Sequence, residues 1–111
     1  MRLAAEMKMS DEKRELARCR GFDFGVEDHG FAFLFGHFEM ECGVQGLGRI
    51  MTIEFLKRFL AVFNVARLQQ VNGKPCWVTT RKGLIAKIEP LFPREGAAFD
   101  IDEYNGELGD D

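Results

Sequence analysis

The chain contains no apolar run approaching the ~20 residues that span a bilayer. Its first ten residues are mixed and charged, without the apolar stretch of a secretory signal. Cysteine is sparse: Cys19, Cys42 and Cys76 are odd in number and widely spaced, and no C-x-x-C pair occurs. That pattern argues against a disulfide framework and against a zinc site, and suggests reduced thiols in a cytoplasmic compartment. Ser10 is the only serine, so no local pattern places a hydroxyl nucleophile beside a base. No repeat is visible.

Apolar residues make up 46 % of the 111, enough for one domain with its own core. Charge is divided along the chain. Residues 1–93 sum to +3, whereas residues 94–111 carry only Arg94 against seven acids and sum to −6. The organisation expected is an N-terminal segment over 1–18, a single domain over 19–93 and an acidic tail over 94–111. In the simplest reading the tail is solvated and partly disordered; in a sharper one it pairs with a basic surface.

Phenylalanine is abundant. Six of the eleven lie between residues 19 and 48, at Phe22, Phe24, Phe31, Phe33, Phe35 and Phe38. Most alternate with other residues, the period of a strand. A first strand is expected over 20–27, a turn at Asp28-His29-Gly30, and a second strand over 31–42. The even face of that second strand is apolar throughout, while its odd face ends in His37, Glu39 and Glu41. Gly36 marks a bulge or bend. The phenylalanines are read as sheet interior. Gly43-x-x-Gly46-x-Gly48 reads as a loop.

Thr52 and Glu54 open a helix over 53–63, and Asn64 stops it. Ile53, Leu56, Leu60 and Phe63, with Phe59 beside them, form its expected buried stripe, which makes Leu56 and Leu60 obligatory core. A connector over 65–71 holds at most one helical turn. Strands follow over 75–80 and 84–89, and Phe99 and Ile101 add a short edge strand or pin the tail. Ser10-Asp11-Glu12-Lys13 suits the start of a short N-terminal helix. The expected fold is α+β: an antiparallel sheet of about four strands in β-β-α-β-β order, one helix packed on it, and that short N-terminal helix.

Candidate chemistry is thin. The glycine loop before a helix invites a phosphate-cradle reading, but no Lys-Ser/Thr follows and the strand before it belongs to a hairpin. His29 with Asp28 resembles a general-base pair set in a turn. His37, Glu39 and Glu41 share a strand face as metal ligands would, and equally as a solvated outer face would. The basic residues, among them Arg49, Arg67 and Arg81, are scattered, which argues against direct nucleic-acid binding. No cofactor, metal site or catalytic residue is assigned.

Glu27-Asp28-His29-Gly30, Gly43-x-Gln45-Gly46-x-Gly48, the helix end 59–65, Asn72-Gly73-Lys74 and Lys82-Gly83-Leu84-Ile85 together resemble a family of small phage and prophage proteins over residues 21–91. That family usually carries a longer polar insertion after the glycines, almost absent here, and a Lys-Trp-Phe-like end, replaced here by Phe92-Pro93 and the acidic tail. The resemblance implies a phage origin and the α+β layout, with no activity attached.

Taken with the charge split, it leads to a non-enzymatic accessory protein that binds a host protein or ribonucleoprotein complex. An anti-CRISPR inhibitor covering a basic nucleic-acid-binding surface would be of this type. Glu39, Glu41, Asp100, Asp102 and Glu103 are the expected partner-binding residues. A ligand-, nucleotide- or metal-binding domain or enzyme built on His29 and the glycine loop, and a DNA-binding accessory protein, are the alternatives. An exposed edge strand would favour a homodimer.

Overall fold

The computed structural model describes residues 12–107. Six strands form one antiparallel sheet: β1 (Glu12–Val26), β2 (Ala32–Met40), β3 (Gly43–Ile50), β4 (Pro75–Arg81), β5 (Leu84–Pro90) and β6 (Phe99–Asp100), in spatial order β3-β2-β1-β4-β5-β6. Helix α1 (Ile53–Phe63) crosses from the β3 side to β4 through a 3-10 turn at Leu68–Val71, and α2 (Ile101–Glu107) follows β6.

The four-stranded β-β-α-β-β expectation is therefore corrected in four places. Residues 12–18 are not helical: they are the first half of a fifteen-residue strand that pairs with β4 over Glu12–Arg18 and with β2 from Ala17 to Val26. Ser10 and Asp11 lie outside the described residues. The glycine segment is strand β3 and not a loop, in register with the whole of β2 from Phe33↔Ile50 to Met40↔Gly43. Phe99 and Asp100 pair with β5 as a sixth strand. Beyond them, the acidic segment forms α2, whose Ile101 and Tyr104 are buried.

Helix α1 begins and ends where its caps place it. Thr52 Oγ1 accepts from Phe55 N at 3.1 Å, and Asn64 adopts the left-handed conformation. Its buried face differs from the expected stripe. Phe55, Phe59, Val62 and Phe63 face the sheet, Leu56 and Leu60 are half-buried at its flank, and Ile53 is exposed. The helix is apolar on two adjoining faces, and the larger rings take the interior.

The core is a chain of aromatic contacts running from β2 to α2. Phe22 lies 5.1 Å from both Phe38 and Phe59; Phe55 lies 6.4 Å from Phe59, 4.9 Å from Phe99 and 5.6 Å from Tyr104. Each such pair contributes ~0.5–1.5 kcal/mol beyond the area it buries.

Phe22 reaches this core through a bulge. The β1–β2 register jumps from Arg20↔His37 to Asp23↔Phe35, so Gly21 and Phe22 oppose Gly36 alone. Gly21 takes φ 63°, the left-handed value this bulge requires. Asn72 brackets the bulge, accepting from Phe22 N at 2.7 Å and donating to Phe22 O at 3.1 Å. At the other end of α1, Gly96 packs against helix backbone so closely that a Cβ would sit 2.0 Å from Val62 O.

Candidate functional site

Both helices lie on one face of the sheet, and the described residues leave the other face uncovered. Residues directly opposite in an antiparallel ladder share a face, so the register assigns its members. Leu16 opposes Trp77, Arg18 opposes Glu39 and Pro75, Arg20 opposes His37, and Phe33 opposes Gly25 and Ile50. Phe35 opposes Asp23 and Gly48 on the same side.

This overturns the reading of the phenylalanines as sheet interior. Phe22 and Phe38 are buried, but Phe35 is 43 % exposed, and Phe24 and Phe31 are exposed as well. Phe33 is half-buried and spreads over Gly48, whose Cβ position is 3.2 Å from the ring.

Where β1 runs on past the end of β2, beside the β2–β3 turn, lies a hollow of about 470 Å³ lined by Arg14, Glu15, Leu16, Glu41 and Trp77. Trp77 is fixed: its Nε1 donates to Leu91 O at 3.3 Å, and the Arg14 guanidinium lies 4.3 Å from the ring centre. Arg14 also pairs with Glu89 at 3.0 Å, and Arg20 with Glu39 at 3.0 Å. Leu16, 49 % exposed, lies between Arg14 and Arg18 on the same face of its strand. Positive and negative groups alternate here and neutralise one another, which suits a protein surface better than a phosphate backbone.

The five acids expected to bind a partner fall in two places. Glu39 sits on the open face and Glu41 lines its hollow. Asp100, Asp102 and Glu103 lie at the opposite edge of the sheet. From β2 to β6 is four strand spacings, ~19 Å. Asp100 caps α2 by accepting from Glu103 N at 2.9 Å, and Asp102 pairs with Arg81 at 2.8 Å. Arg81 also holds Glu12 at 3.1 Å, and these hydrogen bonds raise its pKa above the ordinary value.

The histidines stand apart. His29, at the β1–β2 turn, has Glu27 as its partner rather than Asp28, with Nδ1 3.2 Å from Oε2. The hydrogen bond from His29 holds the Glu27 carboxyl below its ordinary pKa. His37 lies 3.9 Å from Glu39, halfway along β2. Among the described residues no three His, Cys, Asp or Glu side chains gather as metal ligands would. With β3 in the sheet, the glycines form no cradle at the start of α1, so the ligand site expected from them and His29 is not assembled.

On the helix side, a second hollow of about 320 Å³ is lined by Lys13, Glu15, Met40, Cys42, Gln45, Thr80, Lys82 and Gly83. The Cys42 thiol donates to both Glu15 oxygens at 3.1 Å, and that contact pushes its pKa up. A nucleophilic cysteine needs the opposite surroundings. The Cys19 thiol, buried with its Sγ 4.0 Å from that of Cys76, is likewise held protonated: its hydrogen bond with Cys76 and then burial raise its pKa.

Sequence reasoning missed Arg14, Leu16 and Trp77. A signal was present: from Glu12 to Arg20 the even positions are charged except Leu16.

No family model, no curated protein and no solved structure matches the chain. No helix among the described residues is long and apolar enough to cross a membrane.

Proposed function

We propose that this is a non-enzymatic binding protein whose open sheet face docks on another protein, with Leu16 and Trp77 as the apolar centre and Arg14, Glu39 and Glu41 as the polar surround. One observation carries the reading. A fixed tryptophan, an exposed leucine and a stacked arginine line one hollow on a face that no helix among the described residues covers. Trp and Arg at the centre of an uncovered patch, ringed by charged residues, are the composition of interface hot spots.

The thiol environments support binding rather than catalysis, since Glu15 disfavours the Cys42 thiolate. The resemblance to small phage proteins adds the class of partner: host machinery with a basic surface, facing Glu39 and Glu41. An anti-CRISPR inhibitor would act in this way.

Capture from nuclease-treated host lysate tests the proposal. Wild-type protein should retain a discrete partner, and Leu16→Lys combined with Glu41→Lys should lose it. Retention by that variant, or capture that disappears with the nuclease, would show that the face is not the binding surface.

A further inference from the structure

The two edges of the sheet are built differently. β6 is two residues long and runs directly into α2. β3 offers eight residues, and no described strand lies on its outer side. Met51 N donates to Ala32 O at 2.9 Å. Antiparallel ladders alternate bonded and unbonded pairs, so Gly43, Gln45, Leu47 and Arg49 turn their backbone groups toward β2. Val44, Gly46, Gly48 and Ile50 turn theirs outward. The outward set contains two exposed apolar side chains, Val44 at 66 % and Ile50 at 52 %, and two glycines. β3 has no proline and no lysine, the residues that commonly blunt an edge. Its one charge, Arg49, is folded over the Phe55 ring at 4.3 Å.

We propose that β3 pairs antiparallel with β3 of a second copy about a two-fold axis through Leu47, joining the two sheets into one. In this register Val44 of one protomer opposes Ile50 of its partner, Gly46 opposes Gly48, Leu47 meets its own copy and Gln45 opposes Arg49. All outward N–H and C=O groups from 44 to 50 then find partners, giving about eight hydrogen bonds.

The strand itself argues for a second copy as the occupant. The same eight residues read in both directions bring apolar against apolar, glycine against glycine, and an amide against a guanidinium. A slip of two residues would oppose Val44 to Gly48 and Ile50 to Cys42, losing the apolar match and leaving only Gly46 against its own copy. A slip of one would turn the core side chains to the open face. The proposal does not depend on the partner-binding reading, because it uses the outward backbone groups of β3, two strands away from Leu16 on β1.

Sedimentation equilibrium of the full chain tests it. Wild-type protein should run at twice the 12.7 kDa chain mass. V44K/I50K, which sets lysine against lysine, should halve that mass, and V44K/I50E, which sets lysine against glutamate, should restore it. Gly46→Pro provides a second, independent variant. It removes an outward N–H without touching the β2 ladder, and a Cβ there meets only Gly36 O at 3.9 Å. It should also halve the mass, with the far-ultraviolet circular dichroism unchanged. Wild-type protein at single-chain mass, or Gly46→Pro at twice that mass, would overturn the proposal. A V44K/I50E variant that stays at single-chain mass while V44K/I50K does the same would overturn the register.

Discussion

The Phe22 ring lies flat against Gly36, so close that a Cβ on Gly36 would sit 2.3 Å from the ring. The bulge at Gly21 and Phe22 exists because β2 offers no side chain at that point. Gly36→Ala must therefore push Phe22 off Phe38 and Phe59. It should destabilise the protein by ~1–3 kcal/mol, the usual cost of overpacking. Gly25→Ala, where nothing lies within 4 Å, should change stability by less than ~0.5 kcal/mol. Urea denaturation of the two variants makes the comparison, and equal effects would mean that Phe22 is not where it is described.

The β4–β5 turn carries strain that a single substitution can relieve. Lys82 and Gly83 both have positive φ, 54° and 80°, as a two-residue hairpin turn requires. Lysine is a poor residue for that conformation, and asparagine tolerates it. Lys82→Asn should raise stability by ~0.5–1 kcal/mol in thermal or urea unfolding. A loss of stability would contradict the turn geometry.

The β1–β2 turn depends on one carboxylate. Glu27 accepts from His29 N and from Phe31 N, and its pKa is lowered from the ordinary 4.5, chiefly by the His29 ring. A depressed carboxylate pKa means that its contribution is complete above 4.5 and fades as pH falls through the lower folded value. The amide resonances of His29 and Phe31 should therefore move together in that acid window. In Glu27→Gln the shared transition should vanish; its persistence would assign the titration to another group.

Cys42 should alkylate slowly for an exposed thiol. Glu15 stabilises its protonated form, and only the thiolate reacts. Glu15→Gln removes the charge and should speed iodoacetamide labelling of Cys42 several-fold near neutral pH. Unchanged labelling would show that the contact does not persist in solution.

What the sequence made legible follows from how local each signal is. Helix α1 could be bounded because Thr52 and Asn64 act on their own neighbours. Its buried face could not, since apolar residues occupy two adjoining stripes and the choice belongs to the rings it meets. The first half of β1 carries helix-forming residues, and its pairing with β4 over Glu12–Arg18 overrides them. β3 looked like a loop because glycines interrupt its pattern, whereas Gly48 is covered diagonally across the ladder by the Phe33 ring. Of the candidate site, Glu39 and Glu41 were visible as the polar end of a strand. Leu16 and Trp77 lie 61 positions apart in number, and only the β1–β4 register brings them opposite each other.

The central claim is that the uncovered face binds the partner. It is tested most directly by titrating the captured partner, in calorimetry, with two single variants of matched character. Leu16→Lys alters the open face, and Ile53→Lys alters a 70 % exposed apolar residue on the helix side. The account predicts that Leu16→Lys loses at least tenfold in affinity, about 1.4 kcal/mol, while Ile53→Lys binds like the wild type. Equal affinities for all three proteins, or a loss confined to Ile53→Lys, would contradict it.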